Sequence, residues 1–197
     1  MRIGLLPMSA KPYHAGHDGL VRIAARECDE VHLFVSLSDR KRPGEMTIRG
    51  EAMQEIWETF IIPSLPANVR VVYSKVPVAS VYAEIENAEK SGDIETEFSI
   101  YSDDEDIVAN FPISRLTKNA PGLYERGQIT LRGIKRSETV PVSGTKMRDL
   151  LQTGDYAAFA EYLPPAIRQH SKEIVGMLMG ENIAESLIRS YVRSLLS

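Results

Sequence analysis

Ile3-Gly4-Leu5-Leu6-Pro7-Met8 leads through Ser9-Ala10-Lys11-Pro12-Tyr13 into His14-Ala15-Gly16-His17. The first six residues are almost wholly apolar, as a strand buried on both faces must be. Residues 16–28 then follow helical spacing, with Leu20, Ile23 and Ala24 on one face. A strand that hands over to a helix through two histidines places both imidazoles beside a helix N-terminus. Free backbone N–H groups and the positive end of the helix dipole attract phosphate there. Imidazole can donate to a phosphate oxygen and gain charge as that oxygen does. Gly16 carries no side chain to obstruct a close approach.

Outward from that stretch, strands and helices alternate. Glu30-Val31-His32-Leu33-Phe34-Val35-Ser36 and Val69-Arg70-Val71-Val72-Tyr73-Ser74 read as strands. Phe98-Ser99-Ile100-Tyr101 reads as a shorter one, and Ile129-Thr130-Leu131-Arg132-Gly133-Ile134 as the last. Residues 47–62 read as an amphipathic helix with Met53, Ile56, Trp57 and Phe60 inward, stopped by Pro63. Residues 78–90 read as another, ended by Ser91-Gly92, whereas residues 107–128 give no clear pattern. From Thr145 the chain reads as helical, with breaks at Gly154 and Pro164-Pro165 and a last helix over residues 183–196. The alternation predicts an α/β fold, a doubly wound parallel sheet of about five strands with a helical C-terminal region. Residues 1–153 are expected to form the α/β domain and residues 154–197 a helical region of that same domain. Ligands of such sheets bind outside the carboxyl ends of the strands, where strand order reverses.

The 197 residues carry a formal charge of −4, which disfavours binding of a nucleic acid polymer. The cations are uneven, however. Lys11, Arg40, Lys41, Arg42, Lys135, Arg136, Lys146 and Arg148 sit in or beside the motif segments, which suits a small anionic ligand. Cys28 is the only cysteine, so no internal disulfide is expected, and a buried structural thiol is. No apolar run reaches transmembrane length, and no signal-peptide pattern opens the chain. A cytoplasmic location, in a cell or a virus-infected host, is the expectation, with no membrane partner. The apolar stripe of the last helix leaves a homo-oligomer open.

The second informative segment is Ser143-Gly144-Thr145-Lys146-Met147-Arg148 at a helix entry. Ser143 suits the N-cap. A plain capping device favours Glu three residues on, and this chain has Lys146 there, with Arg148 in the same turn. Cations at that end oppose the dipole by roughly 0.3–1 kcal/mol each, a cost that bound phosphates would offset. By contrast, His14 and His17 make a poor zinc site, because Asp18 is the only local residue that could join them.

Taken together, the two segments resemble the nucleotidyltransferase superfamily, whose members move a nucleoside monophosphate onto a small acceptor. The order strand, PxHxGH, alternating elements and SGTxxR is most similar to archaeal-type nicotinamide-mononucleotide adenylyltransferases. The resemblance implies a Rossmann-like domain and AMP transfer from ATP to a phosphorylated acceptor, with pyrophosphate leaving. It implies catalytic roles for Lys11, His14, His17 and Arg148. Pro7, Met8, Ser9, Ala10, Gly16, Ser143, Gly144, Thr145 and Lys146 would bind the nucleotide. Lys135, Arg136, Arg42, Ser102 and Asp103 are the candidates for the acceptor, nicotinamide mononucleotide. Mg2+ is expected to arrive with the triphosphate, so no protein metal ligand is assigned. Where that family has a Gly-Arg-Phe-Gln run, this chain has Met8-Ser9-Ala10-Lys11, and Lys11 is placed to supply the missing charge.

Other readings remain. Cytidylyltransferases share the histidine motif but resemble RTxGISTT at the second site. ATP sulfurylases have an SGTKxR-like segment but are longer. A non-catalytic nucleotide sensor is a reading of another class.

Overall fold

The computed structural model describes residues 1–180, so the helix expected over residues 183–196 lies outside the described residues. They form two compact units. A sheet unit comprises Met1–Ala10, Gly16–Ser36 and Pro66–Pro141; a helical unit comprises Lys11–Ala15, Leu37–Leu65 and the chain from Val142.

In the sheet unit β1 (Arg2–Met8), β2 (Glu30–Ser36), β3 (Val69–Ser74), β4 (Glu97–Asp103) and β5 (Ile129–Ile134) form one sheet in the order β3-β2-β1-β4-β5. Every pairing is parallel, with Leu6 opposite Leu33 and Leu5 opposite Ile100. The sheet is the expected five-stranded, doubly wound Rossmann-like α/β fold. β1 lies at the centre and is buried from Ile3 to Met8, which explains its unbroken apolar run. Strand order reverses beside it, since β2 and β3 build one way and β4 and β5 the other.

One face of the sheet carries Ile3, Leu5, Phe98 and Ile100, which pack with Val81 and Ile85 of α3 (Pro77–Ser91). His32 ties β2 to that helix, bonding Glu84 through Nδ1 and Glu30 through Nε2 at 2.9 Å. The Glu84 bond is the main reason its pKa lies above the ordinary imidazole value. On α1 (Ala15–Glu27), Val21 and Ala24 are fully buried. Cys28, just beyond that helix, is buried against the Tyr101 hydroxyl at 3.4 Å, and burial pushes its thiol pKa up. That is the environment of an inert thiol.

The unreadable stretch after β4 holds three short helices, α4 (Asp104–Asn110), α5 (Ile113–Asn119) and α6 (Pro121–Glu125). Each is too short to show a periodic stripe. They are set instead by a cap at Asp103, by Pro112 and Pro121, and by single anchors such as Leu116 and Leu123.

In the helical unit the helix expected from residue 47 begins only at α2 (Gly50–Ile56). An antiparallel bridge between Arg40 and Ile48 holds the preceding residues extended. The Gly50 N–H donates to Asp39 Oδ1 at 2.9 Å, and a Cβ at Gly50 would collide with the Leu37 carbonyl oxygen. α2 runs on through a π turn at Trp57–Ile61 and a 3-10 turn at Ile62–Ser64 containing Pro63. Trp57 is fully buried and meets Tyr13 edge-on at 4.8 Å, so it is core rather than a stacking platform. Later come α7 (Gly144–Thr153), α8 (Tyr156–Glu161) and α9 (Ser171–Met179). Gly154 and Gly180 end α7 and α9 with φ of 77° and 90°, values that favour glycine. Among the described residues no helix is long and apolar enough to cross a membrane.

Candidate functional site

The helical unit contains both the first histidine of the HxGH segment and the whole SGTKMR segment. Ser143 caps α7 as expected, its hydroxyl accepting from the Lys146 N–H at 3.1 Å. Arg148 turns back along its own helix. Its Nη2 donates to Thr145 Oγ1 at 3.0 Å, and its Nη1 reaches the Lys11 carbonyl at 2.8 Å, 137 residues away in sequence. Gly144 makes room for this: a Cβ there would stand 3.0 Å from Nη1 and 3.5 Å from the Lys11 oxygen. The Lys11 ammonium donates to the Ser38 carbonyl.

Lys11, His14 and Arg148 are thus buried in one unit, with exposures of 3%, 4% and 3%. Burial lowers the Lys11 pKa to about 8, with Asp39 opposing and Arg40 assisting. His14 is pushed down to about 4, by burial first and then by the Arg148 charge. Arg148 is lowered by burial, held up by Glu45 and lowered further by Arg40 and Arg42. At neutral pH the cluster is therefore a neutral imidazole, able to donate through one ring N–H, among buried cations.

Glu45 is the balancing charge, and sequence reading missed it. Its Oε2 lies 3.0 Å from Arg148 Nη2 and 3.6 Å from Arg40 Nε. The signal was present, an acidic residue closing the cationic run Arg40-Lys41-Arg42-Pro43-Gly44. Pro43 and Gly44 sit at the central positions of a turn in which the Glu45 N–H donates to the Arg42 carbonyl at 3.1 Å. Gly44 supplies the positive φ, 78°, that such a turn requires at its third position. Of the other residues assigned from sequence, Lys146 and Arg42 are exposed.

The sheet unit holds the remaining assigned residues. Gly16 and His17 lie in the first turn of α1 and are half-buried. Asp18 pairs with Arg22 at 2.7 Å. Pro7 and Met8 end β1, and Ala10 takes a left-handed φ of 48°, uncommon for a residue with a side chain. At the carboxyl ends of β1, β2 and β4, Pro7, Met8, Ser9, Ser36, Pro77, Val78, Ser102, Asp106 and Asn110 line a cleft of about 230 Å³. Ser102 thus joins the β1 residues. Asp103 accepts from the Asp106 N–H at 3.1 Å and caps α4. Lys135 is exposed, follows β5 and is not among the lining residues; Arg136 begins a 3-10 turn, Arg136–Glu138. Among the described residues no group of three or more His, Cys, Asp or Glu is arranged to hold a metal ion.

The buried His14 has a consequence for acid stability. Between pH 6.5 and about 4 the unfolded chain binds a proton that the folded imidazole refuses, so stability falls as pH drops through that window. The loss attributable to this group approaches about 3 kcal/mol. His14→Gln should therefore lose less stability than the parent between pH 7.5 and 4.5 in denaturant titrations. Parallel losses in the two proteins would contradict a buried neutral imidazole.

Comparison with known proteins adds three observations. None of the curated proteins matches the sequence significantly. Residues 3–55 match the citrate lyase ligase C-terminal domain family. Among solved structures, a protein from Vibrio parahaemolyticus described as a nicotinate-nucleotide adenylyltransferase superposes with a TM-score of 0.57 at 14% identity, covering 86% of this chain and 97% of that one. Thermotoga maritima TmcAL bound with alpha-thio ATP gives 0.48 at 15% identity, covering 88% of this chain and 54% of that one. At such identities the likeness to the Vibrio protein is one of fold.

Proposed function

We propose that the protein transfers AMP from ATP to a small phosphorylated acceptor, nicotinamide mononucleotide, and releases pyrophosphate. The observation that carries this reading is the burial of Lys11, His14 and Arg148 together, on the two segments whose residue types suit phosphate. Two buried cations beside a neutral imidazole donor are kept in one place most readily for an anion. The match of residues 3–55 and the shared fold support the same class of reaction.

In this reaction an acceptor phosphate oxygen attacks the α-phosphorus. The bond from that phosphorus to the bridging oxygen of the β-phosphate breaks, and the electron pair leaves with pyrophosphate. Positioning and charge stabilisation are the protein's whole task, with no covalent intermediate. Arg148, Lys11 and the amides of Gly144 and Thr145 take the β- and γ-phosphates. His14 and His17 donate to oxygens that gain charge as the α-phosphorus becomes five-coordinate. Mg2+ accompanying the triphosphate would be held mainly by the phosphate oxygens and would offset part of their charge. Lys135 and Arg136 are assigned to the acceptor's phosphate, where their charge relieves repulsion between two anionic substrates.

The cleft beside β1 and β4 is assigned to the acceptor's base. Its lining is apolar and hydroxylic apart from the Asn110 carboxamide and the Asp106 carboxylate, with no basic residue. A carboxylate on the base would meet Asp106 as a like charge, whereas an amide would not. Nicotinamide mononucleotide should therefore be used about tenfold better than nicotinate mononucleotide, a preference of the size one such repulsion gives. The decisive assay incubates the protein with each nucleoside triphosphate and a panel of phosphorylated acceptors, and follows pyrophosphate. Equal or better use of the acid overturns the acceptor assignment alone. Turnover of CTP with a phospho-alcohol overturns the base and acceptor together. No pyrophosphate with any pair overturns the transferase reading.

A further inference from the structure

We propose that Arg40 joins Arg148 in a polyphosphate subsite of the helical unit, and that the Glu45 carboxylate fills this subsite until polyphosphate displaces it. The proposal deepens the functional reading above and rests on it for the identity of the anion.

One carboxylate oxygen, Glu45 Oε2, faces two guanidinium groups, at 3.0 Å from Arg148 Nη2 and 3.6 Å from Arg40 Nε. It does not satisfy them. Arg148 Nε and Arg40 Nε are both buried and donate to no acceptor. A guanidinium carries five N–H donors, and a buried donor without an acceptor is unfavourable. Two guanidinium groups around one carboxylate oxygen, each with a buried Nε–H left over, call for an anion with more oxygens and more charge. A chain of phosphates provides both, and its tetrahedral groups offer paired oxygens to each planar fork.

The segment that carries Glu45 is built to give way. Its base is the bridge between Arg40 and Ile48, with Arg40 N–H to Ile48 oxygen at 2.8 Å and the reverse bond at 3.1 Å. Within that bridge residues 41–44 are exposed, so Glu45 can swing outward without opening the core around Ile48. Arg40, at the base, stays. The carboxylate also has a reason to be there: a buried arginine left without a counter-charge is costly, and Glu45 supplies one in the free protein. Because any incoming anion must outcompete it, a monophosphate gains little while a triphosphate gains much. Glu45 thus sharpens selection for polyphosphate.

Inorganic tripolyphosphate and orthophosphate are the probes, since neither needs a base, an acceptor or turnover. Calorimetry on the full chain should show Glu45→Gln binding tripolyphosphate about tenfold tighter than the parent, with a smaller ratio of tripolyphosphate to orthophosphate affinity. Arg40→Ala should bind tripolyphosphate about tenfold more weakly. Without ligand, Glu45→Gln should melt at a lower temperature. If it fails to fold, Glu45→Asp, which withdraws the carboxylate by one methylene, should give an intermediate tightening. Unchanged or weaker affinity in the Glu45 variants overturns the placeholder role. Unchanged affinity in Arg40→Ala overturns the subsite, as does absence of tripolyphosphate binding to any of the proteins. Should these affinities move as stated while no triphosphate yields pyrophosphate, the subsite stands and the transferase reading falls.

Discussion

His17→Ala should lower turnover by about two orders of magnitude, the usual cost of removing one donor that acts in a transition state. Substrate affinities should stay within a few-fold, because the proposed hydrogen bond strengthens only as charge builds on the phosphate oxygens. The fold should tolerate the change. His17 is half-buried in the first turn of α1, and that helix keeps Val21 and Ala24 in the core and the Asp18–Arg22 pair on its first turns. Steady-state pyrophosphate release and circular dichroism on the purified variant test both halves. Near-normal turnover removes His17 from the chemistry.

Arg148→Ala should weaken ATP binding by roughly ten- to a hundredfold, since a charge-assisted hydrogen bond contributes about 1.5–3 kcal/mol. It should also lower the melting temperature. Glu45 loses its nearest counter-charge, and the Lys11 carbonyl loses the donor at 2.8 Å. Arg148→Lys keeps the charge but not the planar fork that spans Lys11, Thr145 and Glu45, so it should recover only part of the affinity. Calorimetry with ATP, beside thermal melts, separates the two effects. Unchanged ATP affinity in a folded Arg148→Ala would leave the SGTKMR helix a structural element.

The sheet was legible because the central strands β1 and β2 are buried almost throughout and read as apolar runs, while the half-buried edge strands β3 and β5 are marked by their β-branched residues. β2, β3 and β5 span the residues expected of them. β4 extends two residues past the apolar run, to Asp103, because pairing with β5 continues through Ser102 and Asp103. The start of α2 was not legible, since it depends on the bridge from Arg40 to Ile48 and on the close approach of Gly50 to Leu37. Neither leaves a periodic trace.

At the candidate site, sequence named the residues whose chemistry suits phosphate, but it gave no view of their burial or of their neighbours. Arg148 could have been a solvated first-turn cation; its contact with the Lys11 carbonyl depends on a segment 137 residues earlier. Glu45 was hidden for the same reason. Its position follows from a turn at Pro43-Gly44 and from a partner on α7, and only the turn is local.

The central place of β1 also governs how the protein is made. Arg2, Ile3, Gly4 and Leu5 pair with Glu97, Phe98, Ser99 and Ile100, a partner synthesised some ninety residues later. Until that strand leaves the ribosome, β1 can be joined on one side only, by β2. Its other side is an apolar, unpaired edge, the kind that recruits neighbouring chains. A nascent chain stalled, or a fragment cut, before residue 97 would carry that edge uncovered. During synthesis the strand that leads into HxGH thus waits for its second neighbour until residues 97–100 have emerged.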